Sequence, residues 1–388
     1  MTAFVERPDG SVLLLRRAKG ASTYAGLWAG VSGYLERDDA LAQAYDELEE
    51  ETGLARDDVE LVGTGPPLRA ENGEGGWLVH PFVFRSRAGE VRLNEESAES
   101  EWVVPAALAE RESVPGLADA YLLARFGDAV ARVRDDRLKG ASALAADAVG
   151  TLVEAAELGL FPLALGRALA AARPAMGAIA NAVGRVLASA RTPEQVVYEA
   201  HALLEGHERA PRAIAVLVNP HLNGTVMTHS ASATVREALL HSPPDRVVCT
   251  TSEPGGEGRA FADELRAEGL TVELVADDDA EHAVETVNLL LVGADTVFRD
   301  GGLANKIGTS KLAETAKDAG VRVIVACETL KLAPYPTTEP EEEIFDLTPP
   351  DHVDLYVTEE GEFPSSEVHV LVDRTPFLGE GYEILRAS

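Results

Sequence analysis

Residues 33–54, GYLERDDALAQAYDELEEETGL, decide how the first third of this chain is read. The end of the run places Glu47, Glu50 and Glu51 at offsets of zero, three and four, so a helix here lines three carboxylates along one face. Like charges stacked that closely repel by roughly a few tenths of a kcal/mol per exposed pair. A hard divalent cation among the oxygens removes that penalty. Gly33 opens a turn, Leu48 and Leu54 give apolar anchors, and Gly53 closes the helix. The bland alternative is a solvated acidic helix face, and the flanks oppose it. GSVLLLRR at 10–17 reads as a strand after a turn, YAGLWAGVSGYLE with Trp28 leads into the helix, and WLVHPFVFRS and EWV supply later strands.

The motif glycine, spacer, glutamate, spacer, then Arg-Glu-apolar-x-Glu-Glu-x-Gly-apolar defines the Nudix box. Glu47, Leu48, Glu50, Glu51, Gly53 and Leu54 match its second half, and residues 1–125 resemble a Nudix hydrolase domain. Asp46 stands where the family has arginine. The stretch after Gly33 is one residue short, so Asp38 or Asp39 serves for the first glutamate. The resemblance implies an α/β/α sandwich in which Glu47, Glu50 and Glu51 hold Mg²⁺ or Mn²⁺ and a nucleoside diphosphate linked to another group is cleaved. Such an ion lowers the pKa of bound water and neutralises developing phosphate charge. Arg16 and Arg17, ending the LLLRR strand, are candidates for phosphate contacts.

Composition bounds the rest. A chain of 388 residues is long for one core and predicts two or three domains. With 65 acidic against 34 basic residues the formal charge is −31, which makes association with nucleic acid or an anionic membrane unfavourable over the general surface. Acid excess with only six lysines suggests a salt-rich, haloarchaeal-type cytoplasm where screening removes self-repulsion. Cys249 and Cys327 lie in apolar runs and read as reduced and buried. The most apolar stretch, 152–172, is interrupted by Glu154, Glu157 and Arg167, so no membrane span is expected.

After about residue 125 the texture changes. Ala-rich helical periodicity through ARVRDDRLKGASALAADAVGTLVEAA, ARPAMGAIANAVGRVLASA and TPEQVVYEAHALLEGHE predicts a helical subdomain over 126–212. From 213 strand and helix alternate, with AIAVLV, RVVCT, TVELV, LLLVGAD and VRVIVAC as strands. That pattern predicts a Rossmann-like doubly wound parallel sheet over 213–388. Ligands of such sheets bind beyond the carboxyl ends of the strands. Those ends carry THSAS, TTSEPGGEGR, GADTVFRDGGLANKIGTSK and ACETLK. Gly255, Gly256 and Gly258 precede a helix whose amides are suited to phosphate, a weak signal by itself.

The string GADTVFRDGGLANKIGT at 293–309 is more specific. With DRLKGASALA, ARPAMG, THSAS, ACETLK and FDLTPPDHVDLYVTEEG it makes residues 126–388 resemble the family of initiation factor 2B alpha, beta and delta subunits, ribose-1,5-bisphosphate isomerase and methylthioribose-1-phosphate isomerase. The isomerases use a cysteine and an aspartate. Asp295 matches the aspartate, whereas Ser230 occupies the cysteine position and Glu253 replaces an arginine of the Thr-rich loop. A serine hydroxyl is a far weaker acid than a thiol of pKa about 8.5, and Glu253 removes a phosphate partner. Lys139, Arg173, Arg259, Asn305, Lys306 and Lys331, with Asp295, remain as a set for a phosphorylated sugar or nucleotide. His229 beside Ser230 is not read as its base, because neighbours on a strand face opposite ways.

Three readings follow. The leading one is a cytoplasmic Nudix diphosphatase coupled to a C-terminal domain that binds a phosphorylated sugar or nucleotide. The second is an aldose-ketose isomerase of the ribose-1,5-bisphosphate type, with Ser230 and Asp295 adapted to it. The third is a non-enzymatic, initiation factor 2B-like assembly or regulatory protein. The resemblance also implies a homodimer or larger homo-oligomer.

Overall fold

The computed structural model describes residues 1–388 except 22, 72–75, 88–89, 138, 341 and 387–388. The chain divides into two compact units. Met1–Asp136 joins Gly150–Ala172 and Ala190–Tyr198 in the first, and Arg137–Val149 joins Arg173–Ser189 and Glu199–Ser388 in the second. The Ala-rich helical stretch is therefore shared between them.

In the first unit Thr2–Glu6 is the centre of a mixed sheet. It runs parallel to Pro81–Ser86 and antiparallel to Val12–Arg17 and Val31–Ser32, while Ser97–Val103 extends the Val12–Arg17 side and Val59–Thr64 pairs with Pro81–Ser86. The period-two alternation of a strand sorts the faces. Ala3, Val5, Phe82 and Phe84 belong to a core with Ala44 and Leu48 of the Ala40–Thr52 helix, where Tyr45 meets Phe84 edge-on at 5.0 Å. On the other face Phe4 meets Tyr121 of the Leu117–Arg125 helix at 5.4 Å, and the Tyr121 hydroxyl donates to buried Glu6 at 2.8 Å. A sheet between helices is the expected α/β/α sandwich.

The second unit holds a seven-stranded sheet in the order Val272–Val275, Arg246–Thr250, Thr225–Thr228, Leu289–Val292, Arg322–Ala326, Leu355–Thr358 and Gly361–Phe363. All pairs are parallel except the last. Its inner strands are apolar on both faces, as a sheet with two covered sides requires. Leu290, Val292 and Val323 join one core and Leu289, Leu291 and Ile324 the other. A small sheet of Leu332–Ala333, Thr296–Phe298, Leu303–Lys306 and Phe345–Thr348 follows the carboxyl end of the Leu289–Val292 strand.

One expected strand is corrected. AIAVLV, read as the first strand, is the end of a helix that runs Pro193–Val218 and carries Pro211 within it. Ile214, Ala215 and Val218 are fully buried while Val216 is 53% exposed. That spacing is helical, since a strand would bury 214, 216 and 218 together. The first strand is instead Thr225–Thr228, whose short TVMT run carries little periodic signal.

Candidate functional sites

The Ala40–Thr52 helix begins where Asp39 accepts from the Ala42 amide at 2.9 Å and ends at Gly53, whose φ of 68° lies in the left-handed region. Between these caps the acidic residues separate by environment. Glu51 is 5% exposed and accepts from the Ser32 amide at 3.0 Å. Burial first, then the charges of Glu47 and Glu96, push its carboxyl up to about 7. Glu47 is half-buried and accepts from Gln43 at 3.0 Å, and burial, with Glu50 and Glu96 adding repulsion, raises it too. Glu50 is exposed.

Gly33 admits this arrangement, because a Cβ there would lie 1.9 Å from Glu47 Oε1. The sequence reading missed Glu96, whose charge reaches both Glu47 and Glu51, and Gln43, which orients Glu47. The spacing of Gln43 four residues before Glu47 was an available signal. The approach of Glu96 depends on the turn before Ser97–Val103 and was not. Arg37 forms an ion pair with Asp46, so the position that lacks the motif's arginine faces a guanidinium from the preceding loop.

Of the two arginines proposed for phosphate, Arg17 bears electrostatically on Glu51 and donates to the Thr23 carbonyl at 2.9 Å. Arg16 is turned to Glu99 at 2.8 Å and the Gly26 carbonyl at 3.0 Å.

Among the described residues no three His, Cys, Asp or Glu side chains are already converged as a cation cage. The donor chemistry nevertheless fits a hard divalent ion. Carboxylate oxygens are crowded on one helix face, Glu51 raised by burial and the charges of Glu47 and Glu96, and Glu47 by burial and the charges of Glu50 and Glu96, which is the condition a cation relieves.

In the second unit the strand order reverses direction between Thr225–Thr228 and Leu289–Val292. A crevice opens at such a switch point, and the residues just beyond these two strands are Ser230 and Asp295. Ser230 has φ of 65° and Ser252, in the neighbouring loop, φ of 61°, a sparsely populated region for side chains other than glycine. The Ser230 amide donates to Ser252 Oγ at 2.8 Å, and the Ser252 and Glu253 amides both donate to Asp277, at 2.8 and 2.7 Å. Ser230 Oγ donates to Glu257 Oε1 at 2.8 Å.

Asp295 retains some solvent access but is enclosed by protein, and burial raises its carboxyl, opposed by the charges of Lys331 and Arg173. Arg173 is 2% exposed and pairs with Glu342 at 2.8 Å. Lys331 is buried in the Thr329–Lys331 turn. Lys306 is bonded to Glu257, Arg259 lies 3.6 Å from Glu253, and Lys139 pairs with Asp147 at 2.5 Å. Asn305 turns inward and donates to Thr309 Oγ1 at 3.1 Å. The fold thus brings Asp295, Arg173 and Lys331 together and places Ser230 with Lys306 through Glu257. His229 is bonded to Thr250 Oγ1 at 2.7 Å and to the Ile307 carbonyl at 2.8 Å.

The reading also missed Glu328. It is 2% exposed, accepts from Ser142 and Thr234 at 3.1 Å each, and directly precedes the turn that carries Lys331. No periodic signal marks such a residue.

A doubly wound sheet with polar groups gathered at its switch point, in a chain that also carries an acidic-helix sandwich, defines a two-part α/β protein. The model of the initiation factor 2 subunit family matches residues 140–344, over half of the chain, and the NUDIX domain model matches residues 1–124. The chain belongs to the initiation factor 2 subunit family and carries a Nudix domain.

It is 30% identical over 217 residues to a ribose 1,5-bisphosphate isomerase of Archaeoglobus fulgidus and 34% identical over 187 residues to one of Haloferax volcanii. These matches cover 48% and 40% of this chain and 69% and 57% of the relatives. Among solved structures, the translation initiation factor eIF-2B of Pyrococcus horikoshii matches with a TM-score of 0.55 at 23% identity, over 62% of this chain and 97% of that one. The tetrameric eIF2B-beta2-delta2 complex of C. thermophilum matches with a TM-score of 0.57 at 21% identity, over 64% and 94%. These likenesses confirm the fold. Among the described residues no helix is long and apolar enough to cross a membrane.

Proposed function

We propose that the N-terminal domain is a Mg²⁺- or Mn²⁺-dependent diphosphatase acting on a nucleoside diphosphate linked to another group, and that the C-terminal domain binds a phosphorylated sugar or nucleotide. The observation that carries the first part is Glu51, a carboxyl buried among other acids and held near neutrality by desolvation. A bound divalent ion would polarise the diphosphate and lower the pKa of its water. Glu47 and Glu51 would hold it with Glu50, while Gln43 and the Ser32 amide fix the two inner carboxylates. Arg17, whose charge already reaches Glu51, is the better placed arginine for a substrate phosphate. The test is hydrolysis of a panel of nucleoside diphosphate derivatives in high KCl with Mg²⁺. Turnover by wild type that is lost in Glu50→Gln and Glu51→Gln supports the reading. Turnover that survives both substitutions refutes it.

A phosphorylated product of the first reaction would suit the second domain, which links the two halves. For that domain the isomerase reading gains support from Asp295, which burial favours in its protonated form, and from relatives named ribose 1,5-bisphosphate isomerase. Ser230 argues against ordinary turnover. A Ser230→Cys variant that gains isomerisation of ribose 1,5-bisphosphate would show a site that has lost only its thiol, and no gain would leave binding as its role. The two unbridged, buried cysteines fit a reducing cytoplasm. Assembly as a homodimer or larger homo-oligomer, in keeping with the tetrameric neighbour, is tested by light scattering of the full chain.

A further inference from the structure

Glu257 is the first residue of the Glu257–Ala267 helix, and its carboxylate is committed on both oxygens. Oε1 accepts from Ser230 Oγ at 2.8 Å and lies 3.0 Å from Lys306 Nζ, while Oε2 lies 3.2 Å from the same ammonium. Lys306 also donates to the Pro254 carbonyl. The lysine side chain is 10% exposed, so its charge needs a partner in place. The glutamate is 33% exposed. Gly255, with φ of 110°, leaves the space for this contact. A Cβ there would lie 2.8 Å from Glu257 Oε2 and 3.6 Å from Lys306 Nζ.

A buried ammonium and a hydroxyl, both turned onto one group with two acceptor oxygens, form a subsite for an oxyanion. We infer that Glu257 is a built-in occupant of that subsite and sets its specificity: a ligand uses Lys306 and Ser230 only by displacing the glutamate, which favours a phosphoryl group over a carboxylate. A ligand carboxylate offers Lys306 no more charge and no more oxygens than Glu257 already does. A phosphoryl dianion brings a second charge and a third oxygen, and the displaced glutamate, already a third exposed, is rehydrated. The inference rests on the reading of the C-terminal domain as a binder of phosphorylated ligands.

The experiment is calorimetric titration of the full chain with ribose 5-phosphate, and separately with inorganic phosphate, at one fixed KCl concentration. Glu257→Gln should bind ribose 5-phosphate about tenfold more tightly than wild type, with Glu257→Ala behaving alike. The gain should disappear when Lys306→Met is added. Glu264→Gln, the same charge change on the same helix at a residue paired with Arg236, should alter affinity by less than about twofold. Wild-type binding that Glu257→Gln leaves unchanged or weakens overturns the role of Glu257 alone. So does a gain equally large in Glu264→Gln or one that survives Lys306→Met. No binding by any variant overturns both this inference and the reading beneath it.

Discussion

Glu51→Gln separates two effects that the N-terminal site combines. In the folded chain the carboxyl is pushed from 4.5 to about 7, chiefly by burial. At 1.36 kcal/mol per pKa unit, that span is about 3 kcal/mol. Because the folded pKa is the higher one, the protonated form is favoured by folding. The contribution is complete below pH 4.5 and is lost as the pH rises through about 7. At pH 8 without metal, the wild type therefore carries an ionised, buried carboxylate. The glutamine keeps an oxygen for the Ser32 amide and carries no charge, so the variant should be about 2–3 kcal/mol more stable at pH 8, with the advantage fading toward pH 5.

Metal offsets this advantage. Mg²⁺ at about 100 times its dissociation constant adds about 2.7 kcal/mol to a protein that binds it only when folded, and the variant should lose that gain. The assay is urea unfolding in high KCl with EDTA or Mg²⁺, between pH 5 and 8, followed by tryptophan fluorescence. Trp28, Trp77 and Trp102 all lie in the first unit, so the signal reports that unit within the intact chain. Equal stability of the two proteins in EDTA at pH 8, with parallel pH profiles, would refute the electrostatic argument. Equal Mg²⁺ stabilisation of both would refute the metal assignment.

Other substitutions probe the same construction. Gly33→Ala places a methyl group where the Glu47 carboxylate lies and should lower hydrolysis at least about tenfold by displacing that carboxylate, as measured by initial rates. Leu48→Ala empties a fully buried position between helix and sheet and should cost about 2–5 kcal/mol in the same unfolding assay. Arg37→Ala breaks an exposed pair with Asp46 and should change stability by less than about 1 kcal/mol, so a larger loss would mean that Arg37 has a structural role beyond the pair. Burial pushes the Cys249 thiol up to about 12 and raises Cys327 as well. Neither should react with a thiol reagent in native protein at pH 8, and both should react in denaturant.

The linear pattern was enough for features governed by local spacing. Glu47, Glu50 and Glu51 share a face because a helix repeats every 3.6 residues, and RVVCT and VRVIVAC announce strands because both of their faces are apolar. Local pattern failed where two periods compete over a short run. AIAVLV has the composition of a strand, yet it continues a helix because burying Ile214, Ala215 and Val218 against the second core outweighs β-propensity.

The sequence also supplied the departures, Asp46, Ser230 and Glu253, each visible as a residue type out of place in a motif. It did not show what faces them. Arg37 opposite Asp46, Glu96 bearing on Glu47 and Glu51, and Glu257 holding Ser230 and Lys306 are encounters between separate segments. Burial and the path of the loops set these approaches, and with them the charge state of each site. Composition and periodicity carry no record of either, because a carboxylate's pKa depends on the solvent it loses and the charges it meets only when the chain has folded.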